Sequence, residues 1–155
     1  MSDTYLSRKA YEEFKEKLKY LKTVKRRGIA KAIGEAREHG DLKENSAYHE
    51  AKKEQSLNEA RIADLEEKLR NVRIIDDKNI PKDRVAMGST VKLKDLESKT
   101  QSEYTIVSEL EADIFQNMIS TASPLGSALL NGKKNDVVEI EVPRGIVRYK
   151  ILDIG

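Results

Sequence analysis

The sequence predicts an α+β protein in which a helical hairpin precedes a small, mostly antiparallel sheet. Apolar residues recur at helical spacing through the first half of the chain and alternate with polar residues in the second half, where all three prolines also lie. We therefore expect an antiparallel coiled-coil hairpin over residues 1–75 with an acidic tip near 40–45, a linker over 76–81 and a globular domain over 82–155.

The second helix of the hairpin has the clearest repeat. Its seam recurs at alternating steps of three and four residues for more than three heptads. The seam positions are Tyr48, Ala51, Gln55, Asn58, Ile62, Leu65, Leu69 and Val72. We interpret the polar positions Gln55 and Asn58 as residues that fix the register of the hairpin at a cost in stability.

The first helix has a similar but less regular pattern. Its inward positions are predicted to be Tyr11, Phe14, Leu18 and Leu21, followed through Val24 and Gly28 by Ile29, Ala32, Ile33 and Ala36. Gly28 and Gly34 each weaken a helix by about 1 kcal/mol relative to alanine, so we expect an irregularity or close packing at them. Gly40 is expected to end this helix.

Strands are predicted in the second half from the alternation of apolar residues. They contain Val91 and Leu93; Tyr104 and Ile106; Val138, Ile140 and Val142; and Val147, Tyr149 and Ile151. The sequence Pro143-Arg144-Gly145 predicts a hairpin turn between the last two strands. A short helix is expected over Pro124–Leu130, with Ser123 as its N-cap.

Composition excludes several functional classes. The 155 residues include 29 Lys and Arg against 27 Asp and Glu, and this near balance argues against a protein that binds duplex nucleic acid along a broad surface. No apolar run approaches the ~18 residues that span a bilayer, and the N-terminal sequence has no signal-peptide core, so we expect no membrane partner and a cytoplasmic location. The absence of cysteine and the presence of only two histidines exclude thiolate chemistry and a histidine-rich metal site.

The turn of the hairpin contains two carboxylates three residues apart, Asp41 and Glu44. One interpretation is a capping box, with Asp41 as N-cap and Glu44 at the third helical position, and the spacing alone favours it. The other is part of a metal site, because ionised carboxylates suit a hard cation. Two side chains cannot complete the coordination of Mg²⁺, so such a tip would contribute ligands to a site on a partner.

Two segments resemble a known family. AREHGDLKENSAYHEAKKEQ at Ala36–Gln55 and SPLGSALL at Ser123–Leu130 are similar to motifs of the bacterial Gre transcript-cleavage factors. The resemblance covers nearly the whole chain and implies an N-terminal coiled coil and a C-terminal domain with an FKBP-like fold. It also implies a factor that binds RNA polymerase, inserts its coiled coil into the secondary channel and stimulates cleavage of the RNA 3′ end in backtracked complexes.

The resemblance assigns roles at the tip. Asp41 and Glu44 match the catalytic acids of the family, which help the polymerase hold Mg²⁺, so the polymerase is the enzyme and this chain a cofactor, expected to be a monomer when free. Arg37, Lys52 and, with a weaker match, Lys53 lie in the region of the family's basic patch and are expected to contact RNA, although spacing alone favours a solvated helix surface.

Other matches lie in the second half of the chain. Ser123, Pro124 and Leu125 are expected at the polymerase-docking surface, although their position at a helix start also explains them.

The chain departs from the family pattern at two places. It has no further acid at Ser46-Ala47, which is expected to weaken metal retention. Asn131 and Asn135 stand where the family commonly has glycine, and because asparagine tolerates the left-handed conformation, the fold is expected to be retained.

Three other functions remain open at this point. An inhibitory paralogue would occupy the channel without promoting cleavage. A prolyl isomerase would use the FKBP-like domain, but its aromatic residues, Tyr104, Phe115 and Tyr149, are few for a proline pocket. A generic coiled-coil adaptor would leave the tip motif unexplained.

Overall fold

The computed structural model describes residues 3–40 and 44–155, which form two compact units. The first unit is helical and comprises Asp3 and residues 11–72. The second contains a five-stranded sheet and comprises residues 4–10 and 73–155. The chain is therefore mixed α+β, with an N-terminal helical hairpin region and a sheet domain, as the sequence predicts.

Four α-helices and seven strands account for most of the regular structure in the described residues. Their order is β1 (Thr4–Ser7), α1 (Arg8–Tyr20), a π turn (Leu21–Lys25), α2 (Arg26–Arg37), α3 (Ser46–Arg70), β2 (Val72–Ile75), a 3₁₀ turn (Asp77–Asn79), β3 (Thr90–Asp95), β4 (Gln101–Val107), a second 3₁₀ turn (Ile114–Gln116), β5 (Met118–Ser120), α4 (Pro124–Leu129), β6 (Val137–Val142) and β7 (Gly145–Ile154). In this part of the chain no helix is long and apolar enough to cross a bilayer.

The seam predicted for the second helix is confirmed in α3. The buried and half-buried positions are Tyr48, Ala51, Gln55, Asn58, Ile62, Leu65 and Leu69, and the residues between them are exposed. The prediction is wrong only for Val72. The helix ends at Asn71, whose φ of −119° and ψ of 58° leave the helical region, and Val72 begins β2.

The first arm follows its predicted seam as far as Leu21 and again at Ile29, Ile33 and Ala36. Its buried and half-buried positions are Tyr11, Phe14, Leu18, Leu21, Lys25, Ile29, Ile33 and Ala36. Val24, Gly28 and Ala32, which the sequence places inward, are exposed. The reason is the π turn, since a π turn contains about one residue more than an α turn and shifts every later residue around the helix axis.

The expectation for the two glycines of the first arm is also wrong. Gly28 and Gly34 lie inside the regular helix α2. Apart from the adjacent residues and the nearby backbone of the helix itself, no atom would lie within 4 Å of a Cβ added to either glycine. Neither close packing nor an irregularity is present at these positions. The irregularity comes before them, at the π turn.

The two arms are antiparallel. Lys22 pairs with Glu66 and Lys25 with Glu54, each at 3.4 Å between Nζ and a carboxylate oxygen, so the residue numbers rise along one arm and fall along the other. These pairs are exposed, and pairs of this kind contribute about 0–1 kcal/mol each. The apolar seam therefore provides most of the stability of the hairpin.

The five-stranded sheet has the order β5-β4-β3-β7-β6. All neighbouring strands are antiparallel except β4 and β5, which confirms the mostly antiparallel sheet. The four strands predicted by alternation correspond to β3, β4, β6 and β7. Periodicity does not predict β5, because three residues are too few to establish a period.

The turns around β6 and β7 agree with the sequence analysis. Val142 pairs with Gly145 across the hairpin, so Pro143 and Arg144 form its turn. Asn131 and Asn135 have φ of 66° and 76°. Both asparagines therefore adopt the left-handed conformation that this residue type tolerates.

A two-stranded sheet of β1 and β2 is not predicted by the sequence analysis. Ser7, at the end of β1, is held to the sheet unit by Glu111: its backbone N–H and its hydroxyl donate to the two carboxylate oxygens at 3.0 and 2.9 Å. The first strand of the chain thus belongs to the second unit, although it precedes the helical hairpin.

The core of the sheet unit lies between the sheet and α4. Its buried residues are Val85, Val91, Leu93, Ile106, Leu129, Ile151 and Ile154. Helix α4 approaches the sheet closely at Gly126, where a Cβ would lie 1.9 Å from the carbonyl oxygen of Ser120. Only glycine fits at this contact.

Candidate functional site at the tip of the hairpin

The first arm ends where the sequence predicts. Helix α2 ends at Arg37, and the backbone N–H of His39 donates to the carbonyl oxygen of Ala36 at 3.2 Å. Gly40 follows with a φ of +128°, a conformation that residues with a side chain rarely adopt. The chain leaves the helix at this glycine.

The second arm begins at a cap formed by Asn45. Its backbone is extended, with φ −91° and ψ 95°, and its side-chain oxygen Oδ1 accepts the backbone N–H of Tyr48 at 3.1 Å. Its Nδ2 donates to the carbonyl oxygen of Ala36 at the end of α2. One amide therefore caps the start of α3 and also bonds to the end of α2, so it links the two helices at the tip.

This cap corrects the capping-box interpretation of the tip acids. Because Asn45 is the N-cap of α3, Asp41 is not its N-cap and Glu44 is not at its third helical position. Glu44 instead precedes the cap and is exposed. Asp41 lies outside the described residues, so its predicted role as a catalytic and metal-binding acid stays a prediction.

The basic residues predicted to contact RNA lie on both arms near the tip. The guanidinium carbon of Arg37 lies 5.9 Å from the ring centroid of Tyr48, within the range of a cation–π contact. Lys52 donates from Nζ to Oε1 of Gln55 at 2.9 Å, and Lys53 is exposed. Tyr48 is half-buried, as its position in the seam predicts.

Acidic residues do not gather into a preformed metal centre in the described part of the chain. Within residues 3–40 and 44–155, no group of three or more His, Cys, Asp or Glu side chains could hold a metal ion. Glu44 offers an exposed carboxylate, a ligand type that suits Mg²⁺.

The residues predicted at the docking surface form the start of α4. Ser123 Oγ accepts the backbone N–H of Gly126 at 3.0 Å and donates to the carbonyl oxygen of Ser120 at 2.7 Å, which confirms the predicted N-cap. Leu125 is half-buried against the core, whereas Pro124 is exposed at the first helical position. Of the three, Pro124 thus has the most surface for a partner.

Two exposed apolar residues in the sheet unit were not predicted as functional. Ile114 and Phe115 are 75% and 95% exposed, on a 3₁₀ turn. Asp113 holds this turn by accepting the backbone N–H of Phe115 at 3.0 Å, and Asn117 ends it with a φ of 55°. Sequence alone does not predict that these two residues are exposed, because an apolar pair in so short a segment is equally consistent with burial.

The sequence analysis also missed Asn45. The available signal was an asparagine immediately before a long periodic segment, a common N-cap pattern. The acidic pair at positions 41 and 44 matched another capping pattern, so the sequence analysis assigned the cap to Asp41 instead of Asn45.

Comparison with known proteins identifies both halves of the chain. A family described as transcription elongation factor, N-terminal, of the GreA/GreB type matches residues 4–74, and the corresponding GreA/GreB C-terminal family matches residues 80–155. Transcription elongation factor GreA of Thermoanaerobacter pseudethanolicus is 50% identical over 149 residues, covering 96% of this chain and 95% of that relative. The GreA of Caldanaerobacter subterraneus subsp. tengcongensis is 47% identical over the same shares.

Among solved structures, the GreA factor homolog 1 of Thermus thermophilus aligns over 99% of both chains, with 28% identity and a TM-score of 0.46. The matches of both family halves and the identity to full-length relatives lead to one conclusion: this chain belongs to the GreA/GreB family of transcription elongation factors.

Proposed function

We propose that this chain binds RNA polymerase, inserts its helical hairpin as a coiled coil into the secondary channel, and stimulates Mg²⁺-dependent cleavage of the RNA 3′ end in backtracked complexes. The polymerase supplies the active site, and this chain acts in the bacterial cytoplasm as a monomeric cofactor. The proposal extends the family membership to a specific reaction.

The observation that supports the proposal most is that an asparagine, and not an acidic residue, caps α3 at the tip. Asn45 caps α3 and bonds to the end of α2, so helix capping does not require the carboxylates of Asp41 and Glu44. Glu44 is exposed immediately before the cap. An exposed acid that does not cap α3, three residues after the predicted ligand Asp41, suits a role on a partner.

Mg²⁺ fits this donor set only when shared. It needs near-octahedral oxygen coordination, and Asp41 and Glu44 would provide part of it, with the polymerase providing the rest. When bound, the ion would help to stabilise the attacking and leaving oxygens during hydrolysis. The absence of an acid at Ser46 and Ala47 leaves these two carboxylates as the tip's ligands.

The basic residues would hold the RNA beside the acids. Arg37 rests over the ring of Tyr48, which limits its motion and keeps its charge near the start of α3. Lys52 lies one to two helical turns further along α3, and the exposed Lys53 is next to it. We propose that Arg37 and Lys52 contact the phosphates of the extruded RNA, with Lys53 contributing charge.

The sheet unit would dock on the polymerase. We propose that it has an FKBP-like fold and that the start of α4, at Ser123, Pro124 and Leu125, lies in the interface. The exposed ring of Pro124 supports this placement. The aromatic side chains argue against a prolyl isomerase, since Tyr104 and Tyr149 pack against the core and Phe115 is exposed.

The decisive experiment measures RNA cleavage in stalled, backtracked polymerase complexes with Mg²⁺. The chain is expected to shorten the RNA from its 3′ end. Asp41→Ala and Glu44→Ala are each expected to abolish this stimulation while helicity and polymerase binding are retained. Glu50→Ala, which removes an exposed acid from the side of α3, is the matched control and should stimulate normally.

Two results would contradict the proposal. Binding without cleavage by the unmodified chain would identify an inhibitor of the channel instead. A large loss of thermal stability in Glu44→Ala would mean that this carboxylate serves the fold.

A further inference from the structure

The first arm contains one residue more than a continuous α-helix would need between its two ends. The π turn Leu21–Lys25 separates α1 from α2, and the inward position after Leu21 is Lys25, followed by Ile29. Adding one residue rotates the rest of a helix by about 100° around its axis. The turn therefore decides which face of α2 meets α3.

Two side chains donate hydrogen bonds to backbone carbonyls at this turn. The Thr23 hydroxyl donates to the carbonyl oxygen of Lys19 at 2.7 Å. From the opposite arm, Asn58 Nδ2 donates to the carbonyl oxygen of Leu21 at 3.1 Å, and Asn58 is only 1% exposed. A side chain that inserts into the backbone ladder is a recognised cause of helix irregularity.

Two packing phases of α2, that is, two rotations of the helix about its axis, differ in the side chains that they turn towards α3. In the observed phase Ile29 is 7% exposed and Val24 is 54% exposed. A continuous helix would turn Val24, Gly28 and Ala32 inward instead, a smaller apolar set than Ile29, Ile33 and Ala36. The observed phase requires a π turn, which is a rare departure from α-helical geometry, so a contact that stabilises this turn can decide between the phases.

We propose that Asn58 is a positioning residue: its bond to Leu21 selects the π phase and thereby orients α2, including Arg37 at the tip. The consequence for RNA cleavage rests on the proposed function, whereas the choice of phase does not. Asn58 lies in the middle of α3, far along the chain from the tip residues, so it acts on them only through the orientation of α2.

Thiol labelling can measure the phase directly, since the chain has no cysteine. Gly28→Cys and Ile29→Cys, made separately, place a thiol on an exposed and on a buried face, and residue 28 has open space for a side chain. In the otherwise unmodified chain, a maleimide should label Gly28→Cys about tenfold or more faster than Ile29→Cys. With Asn58→Leu added, this ratio should fall towards one or reverse.

Deletion of Val24 provides the rescue. It removes the extra residue, so an ordinary α turn then places Lys25 and Ile29 inward. In Asn58→Leu with Val24 deleted, the labelling ratio should return to that of the unmodified chain. Leu65→Ala is the matched control, because it removes a buried side chain from the same seam without touching the bond to Leu21. Its labelling ratio should stay unchanged well below the melting temperature.

An unchanged ratio in Asn58→Leu, or an equal change in Leu65→Ala, would overturn the inference. The functional measurement is separate: Asn58→Leu should retain polymerase binding but stimulate cleavage less, and deletion of Val24 should restore it. If the phase shifts while cleavage is unaffected, Asn58 is not a positioning residue. If the unmodified chain itself does not stimulate cleavage, the proposed function fails, and the labelling ratio still decides the phase.

Discussion

The two compact units bury apolar side chains to very different extents. In the sheet unit, six residues of one cluster are completely inaccessible to solvent: Val85, Val91, Leu93, Ile106, Leu129 and Ile151. In the helical unit, the corresponding cluster has only Leu21, Ile62 and Leu65. A sheet covered by a helix encloses a core, whereas two helices share one stripe. The hairpin should therefore depend more on caps, single hydrogen bonds and ion pairs.

The largest expected effect distinguishes two glycines. Gly126→Ala would place a Cβ 1.9 Å from the Ser120 carbonyl oxygen, a backbone atom that cannot move without displacing β5 or α4. We expect a loss of about 4 kcal/mol or more in the free energy of unfolding. Gly34→Ala, in the open middle of α2, should instead stabilise by up to about 1 kcal/mol. Urea unfolding measures both changes in the free energy of unfolding. If the two changes had the same sign, the contrast between the two glycines would be contradicted.

Truncating one core side chain in each unit tests whether the loss of stability stays within that unit. Leu93→Ala and Ile62→Ala should each cost about 2–5 kcal/mol. Leu93→Ala should lie near the upper end, because the closed core cannot collapse around the cavity. Amide hydrogen exchange should accelerate mainly in the unit that contains the substitution. Equal acceleration throughout the chain would show that the two units unfold together.

The cap at Asn45 should have a smaller effect, confined to the tip. Asn45→Ala removes both bonds of the amide and should cost about 0.5–2 kcal/mol. Asn45→Asp keeps the acceptor for the Tyr48 N–H but loses the donor to Ala36, so its cost should be lower. Exchange of the Tyr48 amide should accelerate in Asn45→Ala only. Acceleration in both variants would mean that the bond to Ala36 holds the cap.

The smallest effect concerns an exposed ion pair between the arms. Arg26 donates two bonds to Glu59, at 2.8 and 2.9 Å, and these bonds hold the pKa of Glu59 below its ordinary value of 4.5. A carboxylate whose pKa is lower in the folded state stabilises the fold at pH values above its unfolded-state pKa. This contribution is lost as the pH falls through the folded-state pKa. The melting temperature of Glu59→Gln should therefore lie slightly below that of the unmodified chain at neutral pH.

Acid should remove this difference. As pH falls from 4.5, the two melting temperatures should converge, while 1 M salt should reduce the gap at neutral pH through screening. Arg27→Gln, which removes an exposed charge next to Arg26 on α2, provides a control for general charge effects. A gap that persists in acid would mean that Glu59 stabilises by packing.

Sequence could predict the hairpin seam because it is local and regular. Ala51 through Leu69 follow one heptad on an uninterrupted helix, so spacing alone gives the buried face. The exposure of Val24, Gly28 and Ala32 in the first arm could not be predicted, because it follows from a π turn that is bonded to Asn58, 37 residues away. In the same way, Asn131 and Asn135 were predictable from their own backbone preference, but β1 pairs with a strand that follows the hairpin.

At the tip, the capping pattern that the sequence suggests differs from the cap that the structure has. The acids at positions 41 and 44 fit a capping box, yet the neighbouring Asn45 supplies the cap and a bond to the other helix. That second bond depends on how closely the two helix ends approach, which no pattern within one segment encodes.

The amide of Asn45 has a consequence for how such a protein can change. Since it bonds to both Ala36 and Tyr48, one side chain holds the end of α2 and the start of α3. A substitution at this position therefore acts on two helices at once, whereas most caps serve a single helix.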